Sequence, residues 1–87
     1  MTSAFDQLLP AQQAGILCAD QMFRRFAAER AGLPGQAFAV SAAAEYLRKY
    51  CQIDSRRDLN TIRAARVKFD HLRTEFDAWR GKIPTQR

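Results

Sequence analysis

From Ile62 onward the chain places an apolar residue at both the first and the fourth position of a seven-residue repeat. The first positions are Ile62, Phe69, Phe76 and Ile83, and the fourth positions are Ala65, Leu72 and Trp79. A period of seven lines one face of a helix, whereas a strand would scatter the same residues over both of its faces. Leu59 extends the stripe forward, and Pro84 stops it. Ser55 with Asp58 three residues on resembles a capping box at the front end. These signals predict one long amphipathic helix over 55–82, with a frayed tail at 84–87.

Two shorter helices are predicted upstream. Pro10 suits a first helical turn, where its missing N–H has no partner to lose. Ile16, Ala19, Phe23 and Phe26 then recur at three- and four-residue steps, and Gly32-Leu33-Pro34-Gly35 closes the run. A first helix over 10–31 follows, with Ala11, Ala14, Gly15 and Cys18 small enough for close helix approach. Ser41 is the expected N-cap of a helix over 41–52, whose apolar side is Ala43, Ala44, Leu47, Tyr50 and Cys51. The expected architecture is an all-α small bundle of about three helices in a single domain over 1–87. Only Gln52-Ile53-Asp54 separates the second predicted helix from the third, which suggests a helix-turn-helix-like junction, although the usual turn glycine is absent.

The net charge of +5 is confined to one stretch. Residues 1–40 balance three arginines against Asp6, Asp20 and Glu29, whereas 48–68 set seven cations against Asp54 and Asp58 alone. Localised positive charge of this kind suits an anionic partner. The candidate binding residues are Arg48, Lys49, Arg56, Arg57, Asn60, Arg63 and Lys68. In a continuous helix, Arg56, Asn60, Arg63 and Val67 share one face opposite the apolar seam. Arginine pairs in a first helical turn oppose the helix dipole, and such local violations concentrate at functional sites. Arginine and asparagine also have the shapes that read guanine and adenine edges, so Asn60 and Arg63 are the base-reading candidates and the others the phosphate holders. Against this stands the plain alternative, a solvated basic face that binds nothing.

A second set of arginines is expected to neutralise itself. Arg66, Arg73 and Arg80 alternate with Asp70 and Asp77 at three- and four-residue spacings, an ion-pair ladder worth roughly 0.3 kcal/mol per pair.

Catalysis finds no constellation. His71 is the one histidine, the serines at 3, 41 and 55 lie outside any nucleophile motif, and the four glycines are scattered. Cys18 and Cys51 lack metal or redox spacing and read as reduced, buried small hydrophobes. No cofactor or metal is expected. The start of the chain resembles no secretory leader and no apolar run reaches the ~20 residues of a membrane span, so a cytoplasmic protein without a membrane partner is expected.

These features favour a non-enzymatic protein with nucleic acid as its leading partner, an accessory regulator of the size that mobile elements carry. The competing expectation is a modulator or inhibitor that docks its basic helix end and Val67 on an acidic or nucleic-acid-binding protein surface. A homodimer through the long helix is a third reading, because one small core has limited room for both the seam and Leu8, Leu9 and Val67.

Overall fold

The computed structural model describes residues 4–81, apart from the side chain of Asp6, and among them every regular element is helical. Four α-helices are present rather than about three: α1 (Pro10–Ala19), α2 (Gln21–Arg30), α3 (Val40–Cys51) and α4 (Arg63–Trp79). Short 3-10 segments occupy Phe5–Gln7 and Arg56–Asn60.

The expected first helix is broken by Asp20. Its backbone is extended (φ −74°, ψ 124°), and its carboxylate accepts from the Met22 N–H at 2.7 Å. Aspartate offers the chain this local alternative to helix, so one residue ends α1 and caps α2. The break changes the register of the apolar faces. Gln13, Ala14, Leu17 and Cys18 are the buried residues of α1, while Ile16 is 49% exposed, so the stripe expected through Ile16 and Ala19 does not form. On α2, Phe23, Phe26, Ala27 and Ala28 are buried. The α2 terminus follows the glycine signal closely. Gly32 takes φ +95°, and the N–H groups of Leu33 and Gly32 donate to the Ala28 and Glu29 carbonyls at 2.8 and 3.0 Å, a Schellman closure.

Helix α3 starts one residue before Ser41, after an extended Ala39, so Ser41 is not its cap. It ends on Gln52, which takes the left-handed conformation (φ 60°, ψ 48°) while the Ile53 N–H donates to the Arg48 carbonyl at 3.0 Å. The turn position that lacks a glycine is therefore filled by a glutamine under strain. Replacing it by glycine removes the Cβ conflict of a left-handed L-residue. Gln52→Gly is expected to stabilise the fold by about 0.5–1 kcal/mol, and Gln52→Val to destabilise it, as thermal unfolding by circular dichroism would show.

The long C-terminal helix is the largest correction. Its expected first turns, 55–62, are not α-helical. Ser55 and Asp58 do form the capping box, with the Ser55 Oγ accepting from the Arg57 N–H at 3.4 Å and the Ser55 N–H donating to Asp58 Oδ2 at 3.3 Å. What they cap is the 3-10 segment Arg56–Asn60, after which Thr61 and an extended Ile62 (φ −99°, ψ 108°) lead into α4. Two side chains explain the interruption. Leu59 is fully buried in the core, and the neighbouring Asn60 Oδ1 accepts from the Ala11 N–H at 3.0 Å. Asn60 thus satisfies an N–H in the first turn of α1, where the N-cap residue Leu9 offers no side-chain acceptor, and the successive β-branched residues Thr61 and Ile62 are poor helix formers. The connection from α3 to α4 therefore runs over 52–62, so the expected three-residue turn into a long helix is replaced by a longer connection with its own 3-10 segment. At the other end α4 stops at Trp79, with Gly81 at φ +78°, short of the expected boundary. Ile83, Pro84 and the expected frayed tail lie outside the described residues.

The core uses the rest of the seam as expected. Ala65, Phe69, Leu72 and Phe76 are buried, whereas Ile62 is 45% exposed. The Phe76 ring lies 5.3 Å from Phe23, edge-on at 88°, and 5.4 Å from Phe26, and Trp79 closes the cluster over Phe26 at 5.6 Å. The Trp79 indole N–H donates to Glu29 at 3.1 Å, and Arg30 pairs with Glu75, so α2 and α4 are also tied at the surface. Because the seam is spent inside the chain, a homodimer through it would have to open this core.

Candidate functional site

The seven candidate residues do not form the single helical face expected of them. Arg48 and Lys49 lie on α3, Arg56, Arg57 and Asn60 on the 3-10 segment, and Arg63 and Lys68 on α4. Since Arg56–Asn60 is not continuous with α4, the spacing of Arg56, Asn60, Arg63 and Val67 does not align them. The tertiary fold instead sorts them by exposure and by partner.

Three of the seven have internal duties. Asn60 is half-buried with its oxygen committed to α1, so it is first of all a structural residue. Arg56 is half-buried, and its charge, with that of Arg48, acts on the Cys18 thiol in favour of the thiolate. Burial outweighs them and pushes the Cys18 thiol up. Lys49 is exposed but paired with Glu45 at 3.3 Å across one turn of α3, which offsets its charge locally.

Arg48 is half-buried on α3 with its charge acting on Cys18, whereas Arg57, Arg63 and Lys68 are better placed for an external anion. Arg57 and Arg63 are exposed, and neither carries an ion pair among the described residues. Lys68 is half-buried beside Cys51, whose thiol is pushed up to about 11 by burial despite the Lys68 charge. The acidic residue closest in sequence to Arg57, Asp58, has its carboxylate drawn back into the capping box.

The expected ladder hid a further candidate. Its last rung forms, with Arg80 on Asp77 at 3.0 Å. Arg73 turns inward, donating to the buried Gln13 Oε1 at 3.0 Å and lying 5.1 Å from the centre of the Phe5 ring. Arg66 is left exposed without an ion pair among the described residues, at the front of α4 with Arg63. The signal that could have found it lies in Gln13. That side chain also donates to the Phe5 and Leu8 carbonyls, and a buried amide needs a donor for its remaining oxygen, which Arg73 supplies.

Beside these arginines α3 and α4 leave a groove of about 400 Å³ lined by Tyr50, Val67, Lys68 and His71. Val67 is 54% exposed there. His71 lies at this groove rather than in any triad. Among the described residues no group of three or more His, Cys, Asp or Glu side chains could hold a metal ion. Cys18 and Cys51 are both buried and free, and their raised thiols are poor nucleophiles. No helix among the described residues is long and apolar enough to cross a membrane.

Together these features define a small all-helical protein with a basic, partly apolar surface at the start of α4. Comparison with protein families, curated proteins and solved structures found no match.

Proposed function

We propose that the protein is a non-catalytic binding protein, an accessory or regulatory factor whose basic surface over 48–68 takes the phosphates of a nucleic acid. The observation that carries this reading is the set of unpaired arginines. The whole charge excess lies in this stretch, and Arg57, Arg63 and Arg66 are exposed there without ion pairs among the described residues. Exposed, uncompensated arginines retain the long-range field that gathers a polyanion, and each phosphate contact releases counterions. Arg57, Arg63, Arg66 and Lys68 are the phosphate holders in this reading. Base reading rests on Arg63 alone, since Asn60 is engaged with α1.

The test is the salt dependence of duplex binding. The Arg57→Ala, Arg63→Ala, Arg66→Ala triple variant changes only exposed side chains, so it is expected to fold normally. Its slope of log K against log salt should be shallower than the wild-type slope by about 2–3, close to one counterion per lost contact. Absence of wild-type binding to duplex and single strand alike at ~50 mM salt, or an unchanged slope in the variant, would falsify the reading.

A second reading is favoured by one specific observation. Ile62 and Val67 are 45% and 54% exposed among these arginines. Apolar side chains framed by cations suit an acidic or nucleic-acid-binding surface of another protein, where their burial adds to charge complementarity. Capture of a partner from lysate that persists after nuclease treatment, with no duplex binding by the purified protein, would favour this reading over the first.

A further inference from the structure

The groove between α3 and α4 has a chemistry that the surrounding surface lacks. Tyr50, half-buried on α3, gives it an aromatic wall, with Tyr46 one turn earlier at a ring separation of 6.3 Å. Val67 adds an apolar patch on the opposite helix, and Lys68 and His71 add nitrogen donors. Lys68 is half-buried and lines the groove, close enough to Cys51 for its charge to act on that thiol. Burial and the Glu75 carboxylate push the Tyr50 hydroxyl up. The acidic end of the neighbourhood, Glu75, is paired with Arg30. A lysine ammonium, an imidazole, an aromatic ring and an apolar side chain therefore meet in about 400 Å³, a volume within the range of small-ligand sites.

That combination fits a planar ring carrying a phosphate. Arg63 lies one helical turn before Val67 on α4, so the phosphate-holding surface leads into the groove. A base stacked in a duplex cannot enter a slot between two helices, whereas an unstacked one can. We propose that the α3–α4 groove holds one unstacked base of a single-stranded nucleic acid, with the adjoining phosphate on Lys68 and His71. This inference rests on the polyanion reading above and narrows it to single strands. The Tyr50 ring supplies stacking, which tolerates any base, and the cations supply most of the remaining affinity.

Fluorescence anisotropy with a short labelled single strand, the corresponding duplex, and inorganic polyphosphate as competitor tests it. Wild-type protein is expected to prefer the single strand to the duplex. Tyr50→Leu keeps an apolar side chain at the half-buried position but removes the ring. It should weaken single-strand binding roughly tenfold, the scale of one lost base–aromatic stack, and leave duplex and polyphosphate binding within about twofold. Tyr50→Phe should retain the preference. Val67→Gln, at a mostly exposed position on the other helix, provides a second selective loss that does not depend on how the substituted α3 side chain packs. Equal losses on all three probes, no loss in either groove variant, or a wild-type protein that takes duplex as readily as single strand would each overturn the groove assignment while leaving the basic surface intact. Failure of the wild type to bind any of the three would remove both readings.

Discussion

Phe76→Ala is expected to destabilise the protein by about 3–5 kcal/mol, the cost of removing a buried aromatic ring and leaving a cavity. The size of the effect follows from where Phe76 sits. It is 1% exposed, meets Phe23 edge-on at 5.3 Å and Phe26 at 5.4 Å, and lies under the guanidinium of Arg80 at 4.5 Å. No neighbour can slide in to fill the space, because the rings around it belong to two different helices held by their own surface ties. An 87-residue domain has roughly 4–13 kcal/mol of total stability, so the loss takes a large fraction of it. Thermal unfolding should shift downward by at least ~12 °C. Trp79 is the single tryptophan and packs on both Phe26 and Phe76, so its fluorescence reports directly on this junction. Phe76→Leu should cost far less, since much of the buried volume is kept. A shift below ~5 °C for the alanine variant would mean that α2 and α4 do not share this core.

The second large effect is alkaline. Cys51 is 1% exposed, and burial raises its thiol from 9.0 to about 11 in the folded protein. The folded state thus favours the neutral thiol more strongly than the unfolded chain does. Its contribution is fully present below pH 9 and is lost as pH rises toward 11, because the unfolded state gives up the proton first. Over that window the stability should fall by roughly 2–3 kcal/mol from this group. Cys18, Tyr46 and Tyr50 are also raised chiefly by burial, so they act in the same direction. Cys51→Ala should flatten the pH dependence between 9 and 11 even though it lowers stability at neutral pH. Urea unfolding of both proteins across that range separates the two effects. An equal fall in wild type and variant would show that the Cys51 thiol is solvated in the folded state.

Residues 48–68 show most plainly how far the sequence could be read. Their charge excess is a property of composition and needs no coordinates. Which of those charges face outward is not. Arg56 and Arg57 are adjacent and identical, yet one is half-buried with its charge acting on Cys18 and the other is exposed. Arg66 and Arg73 have the same heptad position, yet Arg73 turns inward because a buried glutamine 60 residues away needs a donor. Spacing arguments treat such residues as equivalent. Long-range hydrogen bonds make them different.

Helix boundaries divide in the same way. The closure at Gly32 was legible because a left-handed backbone position favours glycine for local steric reasons, and the seam from Ala65 to Phe76 was legible because burial has the period of the helix. The break at Asp20 had a local signal as well, a carboxylate able to cap the N–H two residues on, but a continuous apolar pattern outweighed it.

The feature that most constrains this chain, the apolar repeat of its last third, determined an all-helical protein and nearly all the core residues of α4. It did so because side-chain periodicity and backbone geometry are coupled within a few residues. It could not determine where the helix begins. Ser55 and Asp58 form their capping box whether a 3-10 turn or an α-helix follows. Only the tertiary structure decided between these, by drawing Leu59 into the core and Asn60 onto the open N–H of Ala11, 49 residues away in the chain.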